Sequence, residues 1–393
     1  MYEHLHFFQL NDQVTAVALP FEVESVIADW HSLRKIMIRE IPAEFTRDEW
    51  AYLVSFLSKE NLNQPIKSTF GNPITPTNRS VSYLARPRGN IGLWLPNNVS
   101  LLGPLMLVLL SLSGNPIRMK AGSQSENLTG VFLNFALQNL QDCQLKTFIR
   151  EKVTIEPFDR ADPRNQEMAA KSYIRIFFGS NEAVRSIDSM PHPVESVSIP
   201  FIDRQSEAWV KKEALNDQAI EALIKVFAIY GQAGCTSPKK VVIVDGNREE
   251  ALELENRIIN MWPLIMTRLP QQHVASSNIM ACQWARALGW EAALTEMNGA
   301  VIAVGASKTP IFTSFMSLPI VWATLQEAAR SLPDNIQTIG HAFNDSKTAE
   351  LLTILANTKV KRIVPLSSMH HFGHIWDGYA FWRQLFEEVE VLL

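Results

Sequence analysis

The chain has 393 residues, of which 47% are hydrophobic and 19% are charged, and its formal net charge is −4 at pH 7. This length is enough for two domains with sizeable cores, and the composition is that of an ordinary globular protein. The small negative charge gives no electrostatic reason to expect a nucleic acid or an anionic membrane as a partner.

The N-terminus and the cysteines indicate the cellular compartment. The segment MYEHLHFFQL has no basic region ahead of its apolar residues, so we expect no secretory signal peptide. Cys143, Cys235 and Cys282 are an odd number of cysteines at wide spacings. These features predict thiols in a reducing cytoplasm rather than a disulfide framework.

The most hydrophobic stretch runs from Ile91 to Asn115. Asn97–Asn98 and Gly103–Pro104 interrupt it, whereas a membrane-spanning helix needs ~20 uninterrupted apolar residues. We therefore expect a buried strand, a polar turn and a buried helix here, and no membrane span.

From Asn90 onward, predicted strands alternate with predicted helices. In the first half, strands at NIGLWL, NPIRMK, VTIEPF and YIRIFF are separated by helices that start near residue 101 or span 126–140. After Ile202 the alternation resumes, with helices over 216–230 and 248–262 and strands over 240–246 and 299–305. This rhythm predicts parallel sheets and hence an α/β fold of two doubly wound domains, residues 1–203 and 204–393.

The usual phosphate-binding fingerprints are absent, because the 17 glycines nowhere form G-x-G-x-x-G or a P-loop. The strand RIFF nevertheless ends in Gly179–Ser180, directly before a predicted helix, where backbone amides can bind a pyrophosphate. Ser180 is equally well explained as a helix N-cap, which is an ordinary role for serine. The residues alone favour the cap.

The sequence YGQAGCTSPKK, residues 230–240, places a cysteine among small residues and a proline. This setting is typical of a thiol that has to be reached, so we interpret Cys235 as a nucleophile. We interpret Cys143 and Cys282 as small buried side chains in helices. Lys239 and Lys240 can lower the pKa of the Cys235 thiol, but we favour the interpretation that they are solvated charges that flank the next strand.

A competing site is MHHFGH, which contains His370, His371 and His374. A histidine pair four residues apart on a helix can bind zinc. Gly373 and the preceding PLSS argue against a helix there, and no acidic residue lies in the motif. We expect a loop at the wall of the active site and no metal.

The order of these blocks resembles the aldehyde dehydrogenase superfamily, and most of all the fatty-acyl-CoA reductase family that supplies aldehyde to bacterial luciferase. The blocks are LPNN, GNPIRMKAGS, IFFGSNEAVRSI, YGQAGCTSPKKVVIV and the C-terminal RIVPLSSMHHFGHIWDGYAFW. The resemblance covers roughly residues 85–385. It implies an aldehyde-dehydrogenase-like fold with two Rossmann-like domains: residues 1–203 bind the nicotinamide cofactor, 204–393 carry the nucleophile, and the active site lies in the cleft between them.

The resemblance also implies roles for individual residues. Cys235 would be the nucleophile, and the amide of Asn98 would help to form an oxyanion hole. Lys120 would contact the adenosine ribose, and Gly179 with Ser180 would hold the cofactor's pyrophosphate at the start of the helix.

Two departures from the superfamily bear on the reaction. Oxidising members have a Glu-Leu-Gly-Gly block whose glutamate activates hydrolytic water, and Phe201 falls near that place here. Without activated water an acyl-enzyme is not diverted to acid, which favours acyl-thioester reduction over aldehyde oxidation. Ala233 and Gly234 separate Gln232 from Cys235, where the superfamily commonly has one residue, so the oxyanion geometry stays open.

The cofactor and partners follow from the same resemblance. NAD-preferring members often have a glutamate three residues after the ribose lysine, and here that position is Ser123. Lys120 can then pair with a 2′-phosphate, so we expect NADPH, with NADH as a second option. The expected donor is an acyl-CoA or acyl carrier protein, the expected assembly is a homodimer, and an acyl-activating or acyl-transferring enzyme is an expected partner.

Two alternatives stay open. The chain can be a catalytically degenerate scaffold in a multienzyme complex, or an aldehyde-oxidising dehydrogenase.

Overall fold

The computed structural model describes residues 4–75, 81–96, 99, 101–122, 127–229, 231–232, 234–267, 275–310, 312, 314, 316–343, 348–371, 373 and 375–392. The strands in these ranges are β1 (His4–Leu10), β2 (Gln13–Leu19), β3 (Asn72–Pro73), β4 (Tyr83–Pro87), β5 (Ile91–Trp94), β6 (Ile117–Ala121), β7 (Val153–Pro157), β8 (Ile174–Phe178), β9 (Val197–Phe201), β10 (Gln205–Val210), β11 (Pro238–Val244), β12 (Glu291–Leu294), β13 (Val301–Val304), β14 (Ser317–Ala323), β15 (Ile336–Ala342), β16 (Arg362–Pro365), β17 (Ile375–Trp376), β18 (Tyr379–Ala380) and β19 (Phe386–Glu390).

The α-helices of the described ranges connect these strands. They are α1 (Val23–Met37), α2 (Arg47–Phe56), α3 (Lys59–Phe70), α4 (Leu102–Ser111), α5 (Leu128–Asn139), α6 (Gln144–Lys152), α7 (Arg164–Lys171), α8 (Asn181–Asp188), α9 (Asp217–Ala228), α10 (Arg248–Met266), α11 (Ala275–Ala287), α12 (Leu325–Arg330) and α13 (Thr348–Leu355). None of the helices described has the length and apolarity needed to cross a membrane.

The chain divides into two compact units, the first made of residues 1–202 and 373–393 and the second of residues 203–372. The first break lies close to the predicted boundary after residue 203. Residues 373–393, which the sequence analysis assigns to the second domain, pack instead with the first unit. The predicted cleft between the domains stays a prediction.

The first unit contains a fully parallel five-stranded sheet in the order β7-β6-β5-β8-β9. All four residues of β5 are buried, as expected for a central strand covered on both faces. The strand order reverses between β5 and β8, and doubly wound sheets bind ligands outside the carboxyl ends of the strands at such a point. The predicted strands at NIGLWL and YIRIFF therefore flank the point at which the strand order of this sheet reverses.

A second sheet of the first unit explains the place of the C-terminus. Its order is β19-β4-β2-β1-β3, and β19 pairs antiparallel with β4, with Phe386 opposite Pro87. Arg88 donates to the carbonyls of Gln384 and Phe386, at 3.2 and 2.8 Å. The C-terminal strand thus completes a sheet begun by the N-terminal hairpin.

The second unit is built on a seven-stranded sheet in the order β12-β13-β14-β11-β10-β15-β16, parallel except for β12. Alternate residues of β11 enter different cores, because Val241 and Ile243 pack with α9 and α10, while Val242 and Val244 pack with α11 to α13. Both faces of the sheet are therefore covered by helices. The predicted α/β fold with parallel sheets is confirmed.

Candidate active site

Cys235 lies in the turn between α9 and β11 of the second unit, and its side chain is half-buried. The turn stands at the amino end of a central parallel strand. The three cysteines of the chain are all thiols rather than disulfide partners, as the sequence predicts.

The turn is held by the side chain of Gln232, which is 2% exposed. Its Nε2 donates to the carbonyls of Pro238 and Ser317, at 3.0 and 2.7 Å, and its Oε1 accepts from the Ser317 N–H at 3.1 Å. Gln232 has a φ of +61° and Gly231 a φ of +55°. A positive φ is uncommon for glutamine and persists only where surrounding contacts over-determine it. The amide therefore fixes this backbone to the start of β14.

Two further hydrogen bonds hold Cys235 and its neighbour. The buried Ser206 hydroxyl, at the start of β10, donates to the Cys235 carbonyl at 2.7 Å. The Thr236 hydroxyl lies 2.6 Å from Nδ1 of His370, and Nε2 of His370 lies 2.9 Å from the Val226 carbonyl. Because a carbonyl only accepts, Nε2 carries the proton and Nδ1 accepts from Thr236. The turn is thus joined to β10, α9 and the segment after β16.

The imidazole of His370 is neutral at ordinary pH. Its pKa is lowered from 6.5 to about 4, mainly because it is buried, with smaller contributions from His371 and Arg362. Both of its ring nitrogens are engaged in hydrogen bonds, so metal binding through His370 would break one of them. His374, the third member of the motif, lies outside the described residues.

The two lysines after the turn are not the solvated charges that the sequence suggests, and that prediction is wrong. Nζ of Lys239 donates back to the carbonyl of Gln232, and burial lowers its pKa. Nζ of Lys240 lies 2.8 Å from Oε1 of Glu207, a residue that is 4% exposed. Nε1 of Trp209 donates to the other oxygen of Glu207 at 2.9 Å, so this buried carboxylate is fully engaged.

The other two cysteines differ from each other. Cys282 is buried in α11 and packs in the core, as predicted. Cys143 is half-buried and is the N-cap of α6, where its Sγ accepts from the Lys146 N–H at 3.4 Å. The prediction of a buried helical position is wrong for Cys143, because cysteine is not among the residues whose presence signals a cap.

Gly179 and Ser180 lie at the carboxyl end of β8, where the strand order of the first unit's parallel sheet reverses between β5 and β8. The Ser180 hydroxyl accepts from the Ala183 N–H at 3.2 Å and so caps α8. The Gly179 N–H donates to the Phe201 carbonyl at 3.1 Å. The donors that remain for an anion in the first turn of α8 are the N–H groups of Asn181 and Glu182, because a helix offers its first amides no partner of their own.

Lys120 lies near the carboxyl end of β6, the strand next to β5. Its ammonium is 5.5 Å from the ring centre of Phe158. Burial lowers the pKa of Lys120, and the smaller opposing effect of Asp159 does not offset it. Asn98 and Ser123, the other two predicted site residues, lie outside the described residues.

Phe201 ends β9 and is 5% exposed. Its ring stacks on Phe178, with centroids 4.4 Å apart, and packs against Phe381 at 5.8 Å. An aromatic cluster therefore surrounds Phe201, the residue that we expect, from the resemblance, near the place of the glutamate of oxidising aldehyde dehydrogenases.

Sequence reasoning missed the residues that support Cys235. It did not identify Ser206 or the brace formed by Gln232, and it placed His370 in a loop at the wall of the active site without identifying its contact with Thr236. The sequence does show polar residues beside the ends of predicted strands, but this pattern does not indicate which residues they contact in the folded protein.

Comparisons with known proteins agree with the geometry. Residues 22–387 match the family described as acyl-CoA reductase (LuxC), whereas no curated protein matches the sequence. Among solved structures, aldehyde dehydrogenase 21 from Physcomitrella patens, in complex with succinate, superposes with a TM-score of 0.66 at 14% identity, covering 94% of this chain and 84% of the other. Glyceraldehyde-3-phosphate dehydrogenase GapN from Methanocaldococcus jannaschii, complexed with NADP, gives 0.65 at 13% identity, covering 94% and 90%. These structural similarities show the aldehyde dehydrogenase fold.

Proposed function

The chain belongs to the acyl-CoA reductase (LuxC) family, and on that basis we propose that it reduces an acyl thioester to an aldehyde through an acyl-enzyme on Cys235, with NADPH as the reductant. Membership makes it an oxidoreductase of the acyl-CoA reductase type with an aldehyde dehydrogenase fold. The main support for an acyl-enzyme on Cys235 is the turn in which this residue lies. The thiol is half-buried there, and hydrogen bonds of Gln232, Ser206 and Thr236 fix the surrounding backbone.

The first chemical step is thiol exchange. The Cys235 thiolate attacks the carbonyl carbon of the bound thioester, and the CoA or carrier-protein sulfur leaves with the electron pair of the broken C–S bond. One thioester replaces another, so the exchange is nearly isoenergetic and needs no metal. The oxyanion formed on the way needs fixed donors, and we assign this role to the Cys235 N–H and the Asn98 amide. The Ser206 hydroxyl holds the Cys235 carbonyl, and thereby the orientation of this peptide.

Phe201 supports reduction rather than oxidation. A hydrolytic pathway needs a carboxylate that activates water, whereas Phe201 is a buried ring within an aromatic cluster. The acyl-enzyme should therefore hydrolyse slowly.

A nicotinamide dinucleotide suits the donors at the carboxyl edge of the β5–β8 sheet, since Lys120 is cationic and the first turn of α8 offers backbone amides. The reduced nicotinamide, when bound, supplies the hydride that converts the acyl group into the aldehyde. We assign the ribose and its 2′-phosphate to Lys120 and the pyrophosphate to Gly179 and Ser180, and we keep Ser123 as a predicted cofactor-binding residue. NADPH is favoured over NADH because the position three residues after Lys120 is Ser123 and not a carboxylate that would repel the 2′-phosphate.

The central test is intact-mass analysis after mixing with a panel of acyl-CoAs in the absence of cofactor. An adduct of one acyl group should accumulate, map to Cys235, and disappear with release of aldehyde when NADPH is added. Cys235→Ser should lose both adduct and turnover, because a serine without an adjacent base is a poor nucleophile. Cys143→Ser is the matched control and should keep both. An adduct on Cys143 or Cys282, or near-normal activity of Cys235→Ser, would contradict the proposal.

The cofactor assignment has a separate test. We expect kcat/KM for NADPH to equal or exceed that for NADH, and Lys120→Met to lower the NADPH value more than the NADH value, since only NADPH carries the phosphate. A clear preference for NADH in the unsubstituted protein would overturn this assignment.

The same experiments separate the alternatives. A scaffold would form no adduct, and an oxidising dehydrogenase would release acid with an oxidised cofactor. The cytoplasmic location, the homodimer and an acyl-transferring partner stay predictions.

A further inference from the structure

We infer that Lys239 is a positioning residue for the nucleophile, one that holds the cysteine turn closed and places a positive charge beside Cys235 that favours its thiolate. The inference rests on the proposed function only in taking Cys235 as the reacting group.

The backbone gives Lys239 an irregular place in the sheet. In the pairing of β10 with β11, Ser206 lies opposite Pro238 and Glu207 opposite Lys240, so Lys239 is the extra residue of a β-bulge. A bulge redirects the side chain of the extra residue away from the regular alternation and is frequent beside active sites. This one occurs four residues after Cys235.

The side chain of Lys239 returns to the turn from which the strand leaves. Its Nζ donates to the carbonyl of Gln232, three residues before Cys235. The hydrogen bond therefore closes a loop of chain that contains the cysteine. Its carbonyl partner belongs to a residue whose own side chain is fastened to β14, which fixes the position of the ammonium relative to the turn.

Among the described charges near the turn, Lys239 interacts electrostatically with Cys235 and also with Asp203. Its pKa is lowered by burial, while Asp203 and Cys235 act in the opposite direction, which places both within electrostatic range. Lys240 is paired with Glu207 on the neighbouring strand. His370, which faces the turn through Thr236, is uncharged at neutral pH. A half-buried ammonium is screened less by solvent than an exposed one, so its effect on a nearby thiol is retained.

The test is the pH dependence of Cys235 alkylation by iodoacetamide, followed by peptide mass mapping without substrate or cofactor. For Lys239→Met we expect the midpoint to rise by about one pH unit and the rate at pH 7 to fall about tenfold. Lys239→Arg keeps the charge and should keep the midpoint. Lys225→Met removes the same charge from an exposed ion pair with Glu221 on α9, and should leave the curve unchanged.

Lys239→Gln distinguishes the effect of the charge from the effect of the hydrogen bond. It also replaces Lys239→Met in the experiment if the methionine variant does not fold. The amide can still donate to the Gln232 carbonyl but carries no charge, so the midpoint should still rise. A curve for Lys239→Gln that superimposes on that of the unsubstituted protein would overturn the inference. Failure of the proposed function would appear elsewhere, as an acyl adduct that does not form on Cys235, whatever the alkylation profile.

Discussion

The hydrogen bonds of His370 predict that the second unit loses stability in mild acid. Protonation would place a hydrogen on Nδ1, which now accepts from Thr236, and would create a charge in a site that already lies near Arg362. The pKa in the folded state, about 4, is below the ordinary value of 6.5. The stabilisation is therefore present above pH 6.5 and is lost as the pH falls towards 4.

The magnitude follows from the two pKa values. A difference of 2.5, from 6.5 to 4, corresponds to at most about 3.4 kcal/mol. Between pH 7 and pH 5 the linkage relation gives a loss of about 2 kcal/mol. This is an upper value, because the side chain keeps some contact with solvent.

The assay is urea unfolding of the unsubstituted protein and His370→Gln at pH 7, 6 and 5. The difference in unfolding free energy between pH 7 and 5 should be smaller in the variant by up to about 2 kcal/mol, since glutamine does not titrate. His192→Gln, at an exposed histidine, should behave like the unsubstituted protein. Equal pH dependence of His370→Gln and the unsubstituted protein would refute the reasoning.

Three further predictions concern groups outside the cysteine turn. Burial, with a smaller effect of Glu291, raises the pKa of Glu255 from 4.5 to about 7, so stability should fall as pH rises through this range. Glutamine does not titrate, so we compare the unfolding free energy of Glu255→Gln with that of the unsubstituted protein by urea unfolding. The variant's free energy should gain about 2 to 3 kcal/mol on the unsubstituted protein's between pH 5 and pH 8. Ser180→Ala should cost about 1 kcal/mol of unfolding free energy and Ser180→Gly only a few tenths; equal losses would argue against a cap. Arg175, which is 1% exposed and donates to the carbonyls and carboxylate at the end of α8, should hold that helix, so Arg175→Met should speed amide exchange over 181–188 about tenfold; unchanged exchange would contradict this.

The sequence alone determined the fold class. The apolar runs NIGLWL, YIRIFF and KVVIVDG become β5, β8 and β11 because strands buried on both faces read as continuous apolar segments. The intervening amphipathic segments become the covering helices. These signals are local, so they can be read without knowing which strands are neighbours.

The place of Cys235 was also readable. Small residues and a proline between a helix and an apolar strand predict a turn, and Cys235 lies in one. The sequence equally allowed the capping role of Ser180, which the hydrogen bond to Ala183 bears out.

Only the tertiary structure decided what supports the turn of Cys235 and where the C-terminus packs. His370 is 134 residues from Thr236, and β19 pairs with a strand some 300 residues earlier, as the contact between Arg86 and Glu387 shows, at a separation of 301 residues. Lys239 contacts the turn only because the register of β10 and β11 leaves it in a bulge. These contacts depend on which strands pair and in which register, and this pairing brings together groups that are far apart in the sequence. A local pattern of residues does not determine it.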